Sequence, residues 1–119
     1  MILNLTQHPA SKEQKENDVV NVKEKDREFL KELLTFKKLP TMEEIKYRAI
    51  ALKSLAQEYN AEAVMLGGAP YLMYPLHKIM EKNNILPLYA FSLRKSKEKE
   101  KDGKVIKINI FQHIGFVGK

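Results

Sequence analysis

The sequence contains no cysteine. That excludes disulfide staples, thiolate zinc sites and a thiol nucleophile, and it suits a reducing cytoplasm. No apolar run approaches the roughly 20 residues that a bilayer crossing needs, so no membrane partner is expected. The opening Met1-Ile2-Leu3-Asn4-Leu5 has neither a basic flank nor a small-residue cleavage site, so no secretory signal is expected either. Arginine is scarce: among 21 basic residues only Arg27, Arg48 and Arg94 carry a guanidinium. Without an arginine-rich helix, zinc-finger spacing or basic zipper, duplex DNA is not an expected partner. An HExxH motif, paired carboxylates on one helix face and a P-loop are also missing. With three histidines and scattered acids, no metal or other cofactor is expected.

What is present fits a single domain over residues 1–119, with 44% hydrophobic residues, enough for a packed core. The net charge of +6 comes mostly from lysine. It describes a solvated surface, and it is also compatible with steering a phosphate-bearing ligand.

Short apolar runs alternate with amphipathic segments. Met1 to Leu5 reads as a strand that stops near His8, because Pro9 cannot donate to a ladder. Ser11-Lys12-Glu13-Gln14 is a capping box that opens a short polar helix, and Asp18 to Val22 is a second strand. Asp26 is placed to cap a helix with Phe29, Leu30, Leu33 and Leu34 on its apolar stripe, ended at Leu39-Pro40. Thr41-Met42-Glu43-Glu44 is a second capping box. It opens a long helix with Ile45, Ala49, Leu52, Leu55, Ala56 and Tyr59 on one face. Ala63-Val64-Met65-Leu66 suits a central strand buried on both faces. Gly67-Gly68-Ala69-Pro70 leads into a helix with Leu72, Leu76, Ile79 and Met80 inward. After Asn83-Asn84, Ile85 to Phe91 forms the next strand, and Val105 to Val117 the last. This order indicates an α/β fold, a Rossmann-like three-layer sandwich whose mainly parallel sheet has an antiparallel hairpin at one edge.

Ligands of open α/β sheets bind beyond the carboxyl ends of the parallel strands. Thr6-Gln7-His8, Gly67-Gly68-Ala69-Pro70 and Ser92-Leu93-Arg94 all fall at such ends. The paired glycines allow close backbone approach. Pro70 at a helix start leaves neighbouring N–H groups free for an anion, although the same segment also serves as a plain strand-to-helix turn. His8 is a candidate acid, base or phosphate donor, or else a surface residue. Arg94 can grip a phosphate bidentately, or pair with Glu98 or Glu100. If Asp102-Gly103 is a two-residue turn, residues whose numbers sum to about 205 lie opposite one another. His113 then faces Ser92, and Phe111 faces Arg94. Tyr71, Tyr74 and Tyr89 are candidates for stacking on bases or for half-buried core, and His77 reads as surface.

These segments resemble a family. His8 followed by Gln14, the glycine-rich turn, Pro87-Leu88-Tyr89-Ala90-Phe91-Ser92-Leu93-Arg94 and the closing Phe111-Gln112-His113-Ile114-Gly115-Phe116 are similar to the small CRISPR-associated ring nucleases of type III systems. The opening Ile-Leu-Asn-Leu-Thr-Gln-His is also similar to a wider set of small bacterial and phage proteins. The resemblance implies a cyclic oligoadenylate substrate and a metal-independent reaction, in which a ribose 2′-hydroxyl attacks the adjacent phosphorus. It also implies a homodimer. On that reading His8, Arg94 and His113 are the catalytic residues. Thr6, Gln7, Gly67, Gly68, Ala69, Pro70, Tyr71 and Ser92 bind the ligand. The alternatives are a nucleotide sensor without turnover and a small interaction protein of a phage or mobile element.

Overall fold

The computed structural model describes residues 1–119. Its elements run β1 (Ile2–Leu5), α1 (Lys12–Glu16), β2 (Val19–Asn21), α2 (Glu24–Leu34), α3 (Met42–Glu58), β3 (Ala63–Leu66), α4 (Pro70–Lys82), β4 (Leu86–Lys101) and β5 (Lys104–Val117). The five strands form one sheet in the order β2-β1-β3-β4-β5. The first four are parallel, and β5 closes antiparallel on β4. The architecture is therefore mixed α/β with a mostly parallel sheet and an antiparallel edge pair. No helix is long and apolar enough to cross a membrane.

β1 and β3 have every residue buried, as expected of central strands covered on both faces. The larger core cluster sets Leu3, Leu5, Val64 and Leu66 of the sheet against α2, α3 and α4. The opposite face holds Ile2, Val19, Ala63, Met65 and Leu88, closed by Ala10 and partly by Phe116. α1 has five residues and buries none of them, so this second face has no helical layer to match the first.

Local sequence signals account for most helix starts. Ser11 and Gln14 make both bonds of a capping box. Thr41 accepts from the Glu44 N–H, but Glu44 spends its carboxylate on Arg48. Asp26 does not cap α2. That helix starts two residues earlier, with Lys23 at its N-cap position, and the Tyr59 hydroxyl donates to the Asp26 carboxylate while accepting from the Lys23 N–H. Phe29 also departs from expectation, lying 44% exposed beside the buried Leu30, Leu33 and Leu34. The far end of α2 is held by Arg48 of α3. Its guanidinium donates to the Glu32, Leu33 and Thr35 carbonyls and lies 4.0 Å over the Phe36 ring.

Burial, followed by the bond to Asp26, holds the Tyr59 hydroxyl above the ordinary phenol value. A raised pKa on an acid means that the folded state favours the neutral form. Its stabilisation is complete below about pH 10 and fades as pH rises through the higher folded value. Tyr59→Phe is expected to lose about 1–2 kcal/mol at neutral pH and to show a shallower loss of stability on the alkaline side, measured by urea unfolding across pH.

β4 and β5 form a hairpin that outgrows the domain. Asp102 (φ 54°) and Gly103 (φ 75°) make the two-residue turn in left-handed conformation. From Lys101↔Lys104 back to Ser92↔His113 the paired numbers all sum to 205. A bulge between Phe91 and Ser92 then shifts the register so that Phe91 faces Gly115, leaving Ile114 unpaired. β5 is followed by Gly118 (φ 113°), where a Cβ would sit 2.7 Å from the Pro87 carbonyl oxygen.

Candidate functional site

From the end of β1 the chain goes through α1 to β2 on one side, and from the end of β3 it goes through α4 to β4 on the other. The carboxyl ends of β1 and β3 therefore part company, which is where open α/β sheets place their ligands. A cleft of about 590 Å3 occupies this point. It is lined by Thr6, Gln7, His8 and Pro9 after β1, by Gly67 and Gly68 after β3, by Gln14 of α1 and by Ala90 of β4.

One wall is the loop from Thr6 to Ala10, which is held by a buried amide. Asn4 is 3% exposed, and all four of its side-chain bonds are used. Its Nδ2 donates to the His8 carbonyl (2.8 Å) and to Asn21 Oδ1 (2.9 Å). Its Oδ1 accepts from the Thr6 N–H (2.9 Å) and the Thr6 hydroxyl (2.7 Å). Asn21 Oδ1 also accepts from the Ala10 N–H. Gln7 Nε2 donates toward the Leu34 carbonyl and Thr35 at the end of α2. The loop backbone is thus fixed at both ends. The His8 imidazole stands exposed, with no hydrogen bond of its own.

The facing wall is the β3–α4 turn. A Cβ on Gly67 would lie 3.3 Å from Thr6 Cγ2, so the glycine lets the two strand ends close up. Pro70 occupies the first turn of α4, and the Ala69 carbonyl accepts from Leu72 and Met73. No other backbone group accepts from Gly68, Ala69 or Tyr71 outside regular structure. Their N–H groups stand at the positive end of the helix dipole, an arrangement that favours an anion.

The remaining expected residues fall in two places. Tyr71 turns to the helical side, where its ring meets Phe36 edge-on at 5.0 Å. Ser92 with His113, and Arg94 with Phe111, are cross-strand pairs two and four residues beyond Ala90. Arg94 is exposed and makes no ion pair with Glu98 or Glu100. Both ring nitrogens of His113 are buried without a partner, and its ring packs on Phe116 at 4.9 Å. The structure therefore gathers His8 and the glycine turn at one cleft, with Arg94 and His113 on the stem of the hairpin above it. No group of three or more His, Asp or Glu converges as metal ligands would.

Two features were not foreseen. One is the Asn4–Asn21 pair, whose only trace in the sequence is an amide between Leu3 and Leu5. The other is a hydrogen-bonded row on the helical face, where His77 Nδ1 lies 2.9 Å from the Tyr89 hydroxyl and Nε2 lies 3.3 Å from Glu81. Burial, and then the Glu81 charge, push the Tyr89 hydroxyl up.

Residues 1–117 match the family model described as "Uncharacterized protein MJ1673 family", and the chain belongs to that family. No match is found among curated proteins or among solved structures.

Proposed function

We propose that the switch-point cleft binds a nucleotide-type phosphodiester, and that the protein is a metal-independent ring nuclease for cyclic oligoadenylate. The observation that carries this reading is the pairing of the Gly67–Gly68 turn, whose Gly68 N–H has no backbone acceptor, with the unbonded His8 imidazole across the same cleft. The strand order is that of doubly wound nucleotide-binding sheets, and in a Rossmann-like three-layer description α1 is the reduced third layer.

The chemistry asks little of the protein. The substrate's 2′-hydroxyl attacks the adjacent phosphorus and the P–O5′ bond breaks. The product ends are a 2′,3′-cyclic phosphate and a 5′-hydroxyl. The turn N–H groups stabilise charge on the non-bridging oxygens. His8 takes the 2′-hydroxyl proton or returns one to the leaving oxygen. Arg94 holds a neighbouring phosphate from the hairpin stem. The resemblance adds a homodimer presenting two such clefts to one symmetric ring.

Incubation with cyclic tetra- and hexa-adenylate in EDTA tests the reading, with linear products expected. Tight binding without turnover would establish a sensor instead, and no binding would reject both. Arg94→Ala is expected to lower turnover on the order of 10²-fold while leaving the unfolding midpoint unchanged, because the side chain is exposed. Undiminished turnover would remove Arg94 from the mechanism.

A further inference from the structure

The hairpin beyond the cleft is an arm with two unlike edges. The radius of gyration is 16.8 Å and the long axis 56 Å, against about 13.5 Å for a compact chain of this length. From Tyr89 outward β4 has no neighbour on its far side, and β5 has none anywhere along its outer edge. A two-stranded ribbon of this kind is marginally stable by itself, and natural proteins guard open edges with charge, lysine above all.

β4 follows that rule. Its outer segment Arg94-Lys95-Ser96-Lys97-Glu98-Lys99-Glu100-Lys101 is charged at every position except Ser96. β5 does not. Its outer segment Val105-Ile106-Lys107-Ile108-Asn109-Ile110-Phe111 carries one charge. Ile106, Ile108 and Ile110 are 44%, 39% and 40% exposed and Phe111 is 72% exposed. The cross-strand pairs Lys95↔Ile110, Lys97↔Ile108 and Lys99↔Ile106 put a lysine row along β4 and an isoleucine row along β5 on the same face.

We propose that the open edge of β5 is the surface on which a second copy of this chain pairs, antiparallel, about a two-fold axis at Ile108. The segment is self-complementary in that register. Ile106 faces Ile110, Ile108 faces its own copy, Val105 faces Phe111, Lys107 faces Asn109 and Lys104 faces Gln112. No lysine opposes a lysine. The axis stands perpendicular to the ribbon, so the isoleucines of both copies share one face of a four-stranded ribbon. The lysine rows of β4 lie along its outer rims, as far apart as the ribbon allows. Pairing also fills the ladder positions of the unguarded edge and brings Lys104 of the second copy opposite Gln112, next to the His113–Ser92 pair. This inference shares with the proposed nuclease only the expectation of two copies, and its test reads mass rather than turnover.

The wild-type chain is expected to sediment at twice its 13.8 kDa mass. Ile108→Lys, which sets two ammonium groups against each other on the axis, is expected to raise the dimer dissociation constant roughly tenfold or more. Lys97→Ser on the guarded strand is expected to leave it unchanged. The absence of native cysteine permits a second measurement. Under oxidising conditions Ile108→Cys is expected to give a disulfide-linked dimer, and Lys97→Cys none. A wild-type chain that stays monomeric at high concentration overturns the proposal. So does an Ile108→Lys chain that dimerises as well as wild type, or cross-linking through Lys97→Cys in place of Ile108→Cys.

Discussion

Asn4→Ala is expected to destabilise the protein by about 3 kcal/mol, seen as a fall in the urea midpoint with unchanged slope. The amide is nearly inaccessible and all four of its bonding positions are filled. Alanine removes them together. It leaves the Thr6 N–H, the His8 carbonyl and Asn21 Oδ1 short of partners in a site that water enters poorly. Against a total stability of about 5–15 kcal/mol, that is a large share. The same change frees the Thr6–Ala10 loop, so ligand affinity is expected to drop with stability. A loss below about 1 kcal/mol would show that Pro9 and the Gln7 contacts hold the loop without the amide.

His8→Ala separates the imidazole from its platform. The His8 carbonyl, not its ring, takes part in the network, so stability is expected to stay within about 0.5 kcal/mol of wild type. Under the proposed ring-nuclease function, turnover of cyclic oligoadenylate is expected to fall by about 10²–10⁴-fold, the usual worth of a positioned acid or base. Affinity for the ring, which the proposed function assigns to the β3–α4 turn, is expected to persist. Single-turnover kinetics and equilibrium binding on the same variant distinguish the two effects. An unchanged rate would leave proton transfer to the substrate and solvent, and His8 would line the cleft without acting in it.

The sequence carried a good deal of this arrangement. The strand ends at Thr6–His8 and Gly67–Gly68 were legible because pattern rules fix which ends of parallel strands share a rim. The hairpin register was legible from Asp102-Gly103, since a two-residue turn counts both strands outward from itself. The count fails by one at Ile114, where a bulge has no sequence marker as firm as the turn. Asp26 illustrates a different limit. Its capping role was displaced by a bond to Tyr59, a partner 33 residues away in the chain. Asn4 was missed for the same reason. A buried amide is explained only by Asn21 and the folded loop, and neither is a local neighbour. Arg94 and His113 were rightly set on facing strands, but the solvent access of each depends on the tertiary surroundings of the hairpin, which periodicity does not encode.

β4 is one uninterrupted strand from the buried Pro87 and Leu88 to the exposed Lys101, and Ala90 partway along it lines the cleft. The arm and the cleft therefore share a beam whose inner end is clamped in the core. The bulge between Phe91 and Ser92 is the one break in the β4–β5 ladder, and it falls just past Ala90, where the arm leaves the cleft.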